Sequence, residues 1–278
     1  MAGTKVKERI LTILFWFSAL AIVGILLAII GYIMVKGLPY VNPEFILQAP
    51  KHAGKEGGIL TTIIGTLYLT AVSLIIAVPL GVATAIFLEE YASRKSKFAG
   101  LVNLTAETLA GIPSIIYGLF GFVFFVMLLG MGWSILSGGL TLAIMILPTI
   151  TRTAQEAILS VPAEYRENSL ALGASKWQTI SIIVLPAAIP GILTGIILSI
   201  GRAVGETAAI ILTAGSSLCM PLSLSDPART MSVHLYILAM EGLSMERAFA
   251  TAVLIVILVI IINYLANFSL RKLSSAGR

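Results

Sequence analysis

Long apolar runs constrain this chain more than any other feature. A helix needs roughly 20 apolar residues to cross ~30 Å of hydrocarbon. Six runs approach or exceed that length: Ile10 to Val35, Ile59 to Leu88, Leu101 to Leu129, Ile135 to Thr151, Ile189 to Leu212 and Ala248 to Asn267. With 58% hydrophobic and 11% charged residues and a mean hydropathy of +1.01, the chain has too little polar surface for a soluble fold. The expectation is an all-α polytopic membrane protein with six transmembrane helices. Pro79 and Gly81 lie inside the second run and Pro113 inside the third. Neighbouring helices re-satisfy backbone groups freed by such residues, so no run is split at them. The fifth run is expected to begin as a helix around Ile180, with its lipid-spanning part starting near Ile189.

Lys5, Lys7 and Arg9 precede the first run and Ala19-Leu20-Ala21 lies within it, as in a secretory signal. The run continues to Val35, well past a signal's ~7 to 15 apolar residues, and reads as an uncleaved first helix.

Basic residues in the loops orient the spans. With the N-terminus cytoplasmic, the inner side holds Lys5, Lys7, Arg9, Arg94, Lys95, Lys97, Arg152, Arg166, Lys176, Arg271, Lys272 and Arg278. The outer side holds Lys36, Lys51, Lys55, Arg229 and Arg247, and Arg202 stays within the membrane. Both termini are therefore expected inside a plasma (inner) membrane. The +5 net charge is a topology signal, since no basic run with interleaved aromatics suggests nucleic acid.

Cys219 is the single cysteine, and His52 and His234 sit in separate loops without ligand-spaced partners, so no metal is assigned. No Gly-x-x-x-x-Gly-Lys-Ser/Thr segment occurs, so the chain has no phosphate-binding loop for ATP.

Two segments break the apolar pattern. Between Arg152 and Thr179 the chain reads as two helical pieces joined at Gly173. Pro162 suits a first helical turn, Glu164 and Glu167 lie near its positive end, Gly173 can close the helix left-handed, and Ser175 can cap the next piece. The bland reading is a solvated helical loop. The segment Glu167-Asn168-Ser169, Gly173 and Ile183-Val184-Leu185-Pro186 carries more information than that. It resembles the E-A-A, Gly, I-x-L-P loop of ABC-transporter permease subunits, with Asn168-Ser169 where that pattern has Ala-Ala.

What the resemblance implies is a docking surface for a separate ATPase subunit, formed by Glu164, Arg166, Glu167, Leu170, Ala171, Gly173, Ala174 and Trp177. ATP and Mg would then be bound by the partner ATPase, with no cofactor in this chain, which would be a transport subunit and not an enzyme.

The second segment is Gly201-Arg202-Ala203-Val204-Gly205-Glu206-Thr207. An arginine placed mid-span costs at least ~2.5 kcal/mol and must face protein or water. Glu206, four residues on, is expected on the same helix face. One reading is an ion pair of Arg202 with Glu206, alone or with Glu107, that fixes helix packing. The other places Arg202 on an anion path, where its planar fork of donors matches oxyanion geometry. Glu206 would then keep Arg202 satisfied while the path is empty. Arg152, at the inner end of the fourth span, is a further pathway candidate or a headgroup anchor, and Glu107 a pathway or pairing residue.

This segment looks like the fifth-span motif of the phosphate-specific ABC transporter's membrane subunits. Gly65-Thr66-Leu67-Tyr68-Leu69-Thr70, Pro79-Leu80-Gly81-Val82-Ala83, Glu89-Glu90-Tyr91-Ala92 and Ala110-Gly111-Ile112-Pro113-Ser114 are similar as well. Glu89-Glu90-Tyr91-Ala92 and Ala188-Ile189-Pro190-Gly191 look more like the PstA type, and Gly201 more like the PstC type. The resemblance implies a type I ABC importer permease (MetI-like) architecture. It also implies inorganic phosphate as substrate, with a PstC-like second permease subunit, a PstB-like ATPase dimer and a PstS-like extracytoplasmic phosphate-binding protein as partners.

Residues 1–58 would form the N-terminal segment, first helix and outer loop, 59–270 the permease domain with hairpin 152–186, and 271–278 a cytoplasmic tail. The outer loop from Leu218 to Met240 reads as a semi-apolar surface segment. Rival classes are a permease for another oxyanion, a gradient-driven secondary transporter and a membrane enzyme. No internal repeat or nucleophile cluster supports the last two.

Overall fold

The computed structural model describes residues 2–93 and 96–276; Arg94, Lys95 and Arg278, counted above toward orientation, lie outside them. A long first helix α1 (Ala2–Gly37) leads through a short α2 (Pro43–Leu47) to an antiparallel pair, β1 (Pro50–Lys51) and β2 (Glu56–Gly57). Then follow α3 (Leu60–Ile86), α4 (Lys97–Ala110), α5 (Ser114–Gly121), α6 (Ile135–Leu159), α7 (Ala163–Ala171) and α8 (Lys176–Thr179). The chain ends with α9 (Leu185–Gly205), α10 (Ala208–Thr213), α11 (Met231–Met240) and α12 (Met245–Ala276). Five helical stretches are long and apolar enough to cross a membrane, and the bent α4–α5 pair makes the sixth.

α6 is the hub. Two thirds of its apolar stretch is buried, and Leu142, Met145, Ile146 and Ile150 are fully enclosed with Leu69 of α3 and Ile210 of α10. α3 lies along α6 because small residues let the backbones approach, the usual device where lipid removes the hydrophobic drive between helices. At Gly195 of α9 an added Cβ would sit 1.8 Å from the Thr153 hydroxyl of α6. Gly195→Leu should therefore force α9 off α6 and lower stability by about 1–3 kcal/mol, read as a fall in melting temperature in detergent.

Some hydroxyls inside the bundle are satisfied locally: Thr62 and Thr66 donate to the Ile59 and Thr62 carbonyls, at 2.8 and 2.7 Å, whereas the buried hydroxyls of Thr61 and Thr70 have no partner. α1 stands apart, no part of its apolar stretch being buried, and packs along α12, where Tyr32 meets Phe249 edge to face at 5.7 Å.

The third span departs from the expected single helix. It bends by 105° between α4 and α5 at Gly111-Ile112-Pro113. Pro79, Pro148 and Pro190 stay inside continuous helices, as expected. At Pro113 the Leu109 carbonyl has no N–H partner four residues on; it accepts the Ile112 N–H at 3.1 Å and the Tyr117 hydroxyl of α5 at 2.7 Å. The latter bond braces the bend.

The fifth span differs too. Its helix runs from Lys176 through a π-helical turn (Ile180–Val184) to Gly205 and stops there, short of Leu212. Glu206 is extended (φ −73°, ψ 136°) before α10 resumes.

The loop from Leu218 to Met240 is not a surface segment throughout. Ala228 to His234 are buried, and α11 packs against α3, α9 and α12. The buried Arg229 anchors it, its Nε donating to the Ser216 carbonyl at 2.8 Å. His234 lies fully buried, under the Gly54 turn between β1 and β2, with Nδ1 3.5 Å from the Arg229 guanidinium. Burial, then the charges of Arg229 and Arg247, lower its pKa to about 4.

The unfolded chain binds this proton below pH ~6.5 and the folded one only below about 4. Stability should therefore fall as pH drops from 6.5 toward 4, by up to about 3 kcal/mol, and level off below. Melting curves against pH, with His234→Gln flattening that slope, check it.

Candidate functional site: the α9 break and the helical hairpin

Arg202 occupies the last turn of α9, where the helix's negative C-terminal end favours a cation. It is half-buried. Among the described residues it has no hydrogen-bond or ion-pair partner. Gly201 and Gly205 flank it, and space opens beside both, where an added Cβ would touch nothing within 4 Å. The guanidinium therefore belongs to an open, side-chain-poor face at a helix break.

Glu206 does not share that face as a helical neighbour. Because the helix ends at Gly205, the Glu206 carboxylate folds forward and accepts the N–H groups of Thr207 and Ala209 at 3.1 and 3.2 Å. It caps α10, and no ion pair joins it to Arg202 among the described residues. Glu107 does not reach Arg202 either. It meets Arg152 at 3.5 Å, which also meets Glu156 at 3.6 Å, with all three exposed. Exposed pairs of this kind contribute little stability in water.

At the other end of α9 the hairpin forms as its local signals dictate. α7 ends in a left-handed Gly173 (φ 86°), with Gly173 N–H donating to the Leu170 carbonyl and Ala174 N–H to that of Ser169. This double bond pattern closes orphan carbonyls at a helix end. Ser175 and Gln178 cap α8 reciprocally.

Glu164, Glu167, Leu170, Ala171, Gly173 and Trp177 are exposed, and Ala174 is half-buried. Sequence reasoning missed two apolar members of this face, Leu172 (89% exposed) and Tyr165 (51%). Their signal was present: large apolar residues on a short polar helix at the end of a membrane bundle.

Two residues face inward. Ser169 is buried with its hydroxyl 2.9 Å from that of Thr179, so its departure from the Ala-Ala pattern lies at the hairpin's seam and not on its outer face. Arg166 is half-buried and turned toward the bundle. Its Nε donates to Glu90 at 2.8 Å, and its two terminal nitrogens donate to the Val161 and Ile158 carbonyls at 2.8 and 2.9 Å.

This bundle, with its bent third span and its helical hairpin before the fifth, has the fold of MetI-like importer permeases. Solved structures of low identity share this fold. An inward-facing MetNI methionine ABC transporter structure aligns with TM-score 0.63 at 21% identity, over 78% of this chain and 94% of that one. A bacterial alginate ABC transporter aligns with TM-score 0.66 at 17% identity, over 96% and 94%.

Residues 77–276 match the family of binding-protein-dependent transport system inner membrane components, and the chain belongs to that family. It is thus a multi-pass ABC transporter permease.

Among its relatives, the probable ABC transporter permease protein YqgI of Bacillus subtilis (strain 168) is 34% identical, covering 86% of this chain and 85% of that protein. The phosphate transport system permease protein PstA of Haemophilus influenzae is 33% identical over 83% and 82%. PstA of Pasteurella multocida is 31% identical over 95% and 94%.

Proposed function

We propose that this chain is one of two permease subunits of an ATP-driven importer of inorganic phosphate, with the anion passing Arg202. The observation that carries this reading is the half-buried Arg202 guanidinium, without a hydrogen-bond or ion-pair partner among the described residues, on an open face at the α9 break. An arginine at membrane depth without a counter-charge is an electrostatic site waiting for an anion, and its fork of donors suits phosphate oxygens. Relatives named as phosphate permeases across more than four fifths of the chain favour phosphate among the oxyanions.

The exposed hairpin face of Glu164, Glu167, Leu170, Leu172 and Trp177 docks a partner ATPase, which holds ATP and Mg. The hairpin end, and both termini, then face the cytoplasm. An extracytoplasmic phosphate-binding protein delivers the anion at the opposite end, and the second permease subunit closes the open face beside Gly201 and Gly205. Glu206 and the Glu107–Arg152 pair shape the path around Arg202 without supplying its counter-charge.

Uptake of labelled phosphate into vesicles holding the assembled transporter, challenged with a hundredfold excess of sulfate or methylphosphonate, tests the substrate. Uptake that persists under both supports phosphate; equal competition by sulfate points to a general oxyanion permease.

A further inference from the structure

The hairpin is not a free arm. α3 ends in a π-helical turn, Phe87–Tyr91, closed by the Ala92 N–H donating to the Phe87 carbonyl at 2.8 Å. Single π turns inside helices are rare and recur where a side chain must be re-aimed for function. Here the turn carries two adjacent carboxylates, and they reach different neighbours.

Glu90, its side chain 9% exposed, accepts from Arg166 of α7 at 2.8 Å. The remaining nitrogens of Arg166 hold the carbonyls of Ile158 and Val161 at the end of α6. Each nitrogen of that guanidinium thus donates one bond, which ties α7 to the end of α3 and to the chain around the end of α6. Glu89 accepts from Gln155 of α6 at 2.9 Å, and the same Gln155 nitrogen donates to Asn103 of α4 at 3.0 Å. Gln155 is itself buried. Tyr91 adds a third tie, with the Lys176 ammonium of α8 4.9 Å from its ring centroid.

We infer that the π turn Phe87–Tyr91 is the joint that transmits hairpin movement to α4 and so to the α4–α5 bend. In this account Glu90 and Asn103 are positioning residues: neither lies on the exposed hairpin face, and each fixes one helix against the joint. Glu90 passes displacement of α7 to α3. Glu89, through Gln155 and Asn103, passes it to α4, and α4 ends at the bend that Tyr117 braces. Shared buried polar networks move as units because leaving any member unpaired is costly. The inference rests on the docking role proposed above for the hairpin.

The test uses the assembled transporter in vesicles with inorganic phosphate as the probe. Three quantities are read: ATPase retained on purification, ATP hydrolysed, and phosphate imported per ATP. In Glu90→Ala the ATPase should stay bound and hydrolyse ATP within about twofold of wild type, while phosphate imported per ATP falls roughly fivefold or more, the lower range of allosteric coupling. Glu90→Gln keeps an acceptor for Arg166 and should restore most of that ratio, which a merely bulky packing role would not require. Asn103→Ala, on the far side of the joint, should lower the same ratio and serves where Glu90→Ala is poorly inserted.

An unchanged ratio in Asn103→Ala, or proportional loss of hydrolysis and import in Glu90→Ala, overturns the joint. An assembly with Glu90 and Asn103 intact that releases no ATPase when Leu172 and Trp177 are changed to alanine overturns the docking reading instead, so the two failures are distinguishable.

Discussion

Arg202→Ala should reduce phosphate import by about ten- to a hundredfold while leaving the ATPase bound to the assembly. A charge-assisted hydrogen bond to a buried group is worth ~1.5–3 kcal/mol, and about 1.4 kcal/mol corresponds to tenfold. Arg202 is the basic residue in the last turn of α9 and has no ion-pair partner among the described residues. Arg202→Lys keeps the charge and loses the planar fork, and should recover only part of the rate. Because the variant leaves the hairpin untouched, ATPase co-purification separates a blocked path from a lost partner. If Arg202→Ala imports at wild-type rate, Arg202 serves only the helix end, and the phosphate reading loses its physical support.

Trp177→Ala combined with Leu172→Ala should release the ATPase from the membrane assembly. Both side chains are large, apolar and exposed, at 60% and 89%, on a short helical hairpin that the bundle holds rigid. Aromatic anchors at interface centres cost ~2 kcal/mol or more on truncation, so the pair should weaken association by at least about thirtyfold. Glu167→Lys reverses a charge on the same face and should act in the same direction. Retained ATPase in the double variant, measured by co-purification, would place the docking surface elsewhere.

Local chemistry was legible in the sequence and tertiary chemistry was not. Pro162, Gly173 and Ser175 sit where their backbone preferences demand, since a helix start, a left-handed stop and a cap depend on a few adjacent residues. The spans followed from apolar run length. The bend at Pro113 did not, because three other prolines sit in continuous helices; what the bend adds is a Tyr117 hydroxyl donating to the Leu109 carbonyl, a contact no local pattern shows.

Glu206 was misplaced for a related reason. The i to i+4 spacing assumes a continuous helix, and the carboxylate instead serves the N–H groups of Thr207 and Ala209. Arg166 looked like surface charge on a polar hairpin, yet its partners Glu90, Ile158 and Val161 come from two other elements. Burial of α11 is likewise invisible until His234 is seen beneath the β1–β2 turn, with the buried Arg229 beside it.

The most direct test of the central claim is labelled phosphate uptake by vesicles containing this chain, with and without its partner ATPase, second permease subunit and binding protein. Uptake that requires the full assembly and internal ATP is the predicted result. Uptake by this chain alone, driven by a proton or sodium gradient in the absence of ATP, would contradict it.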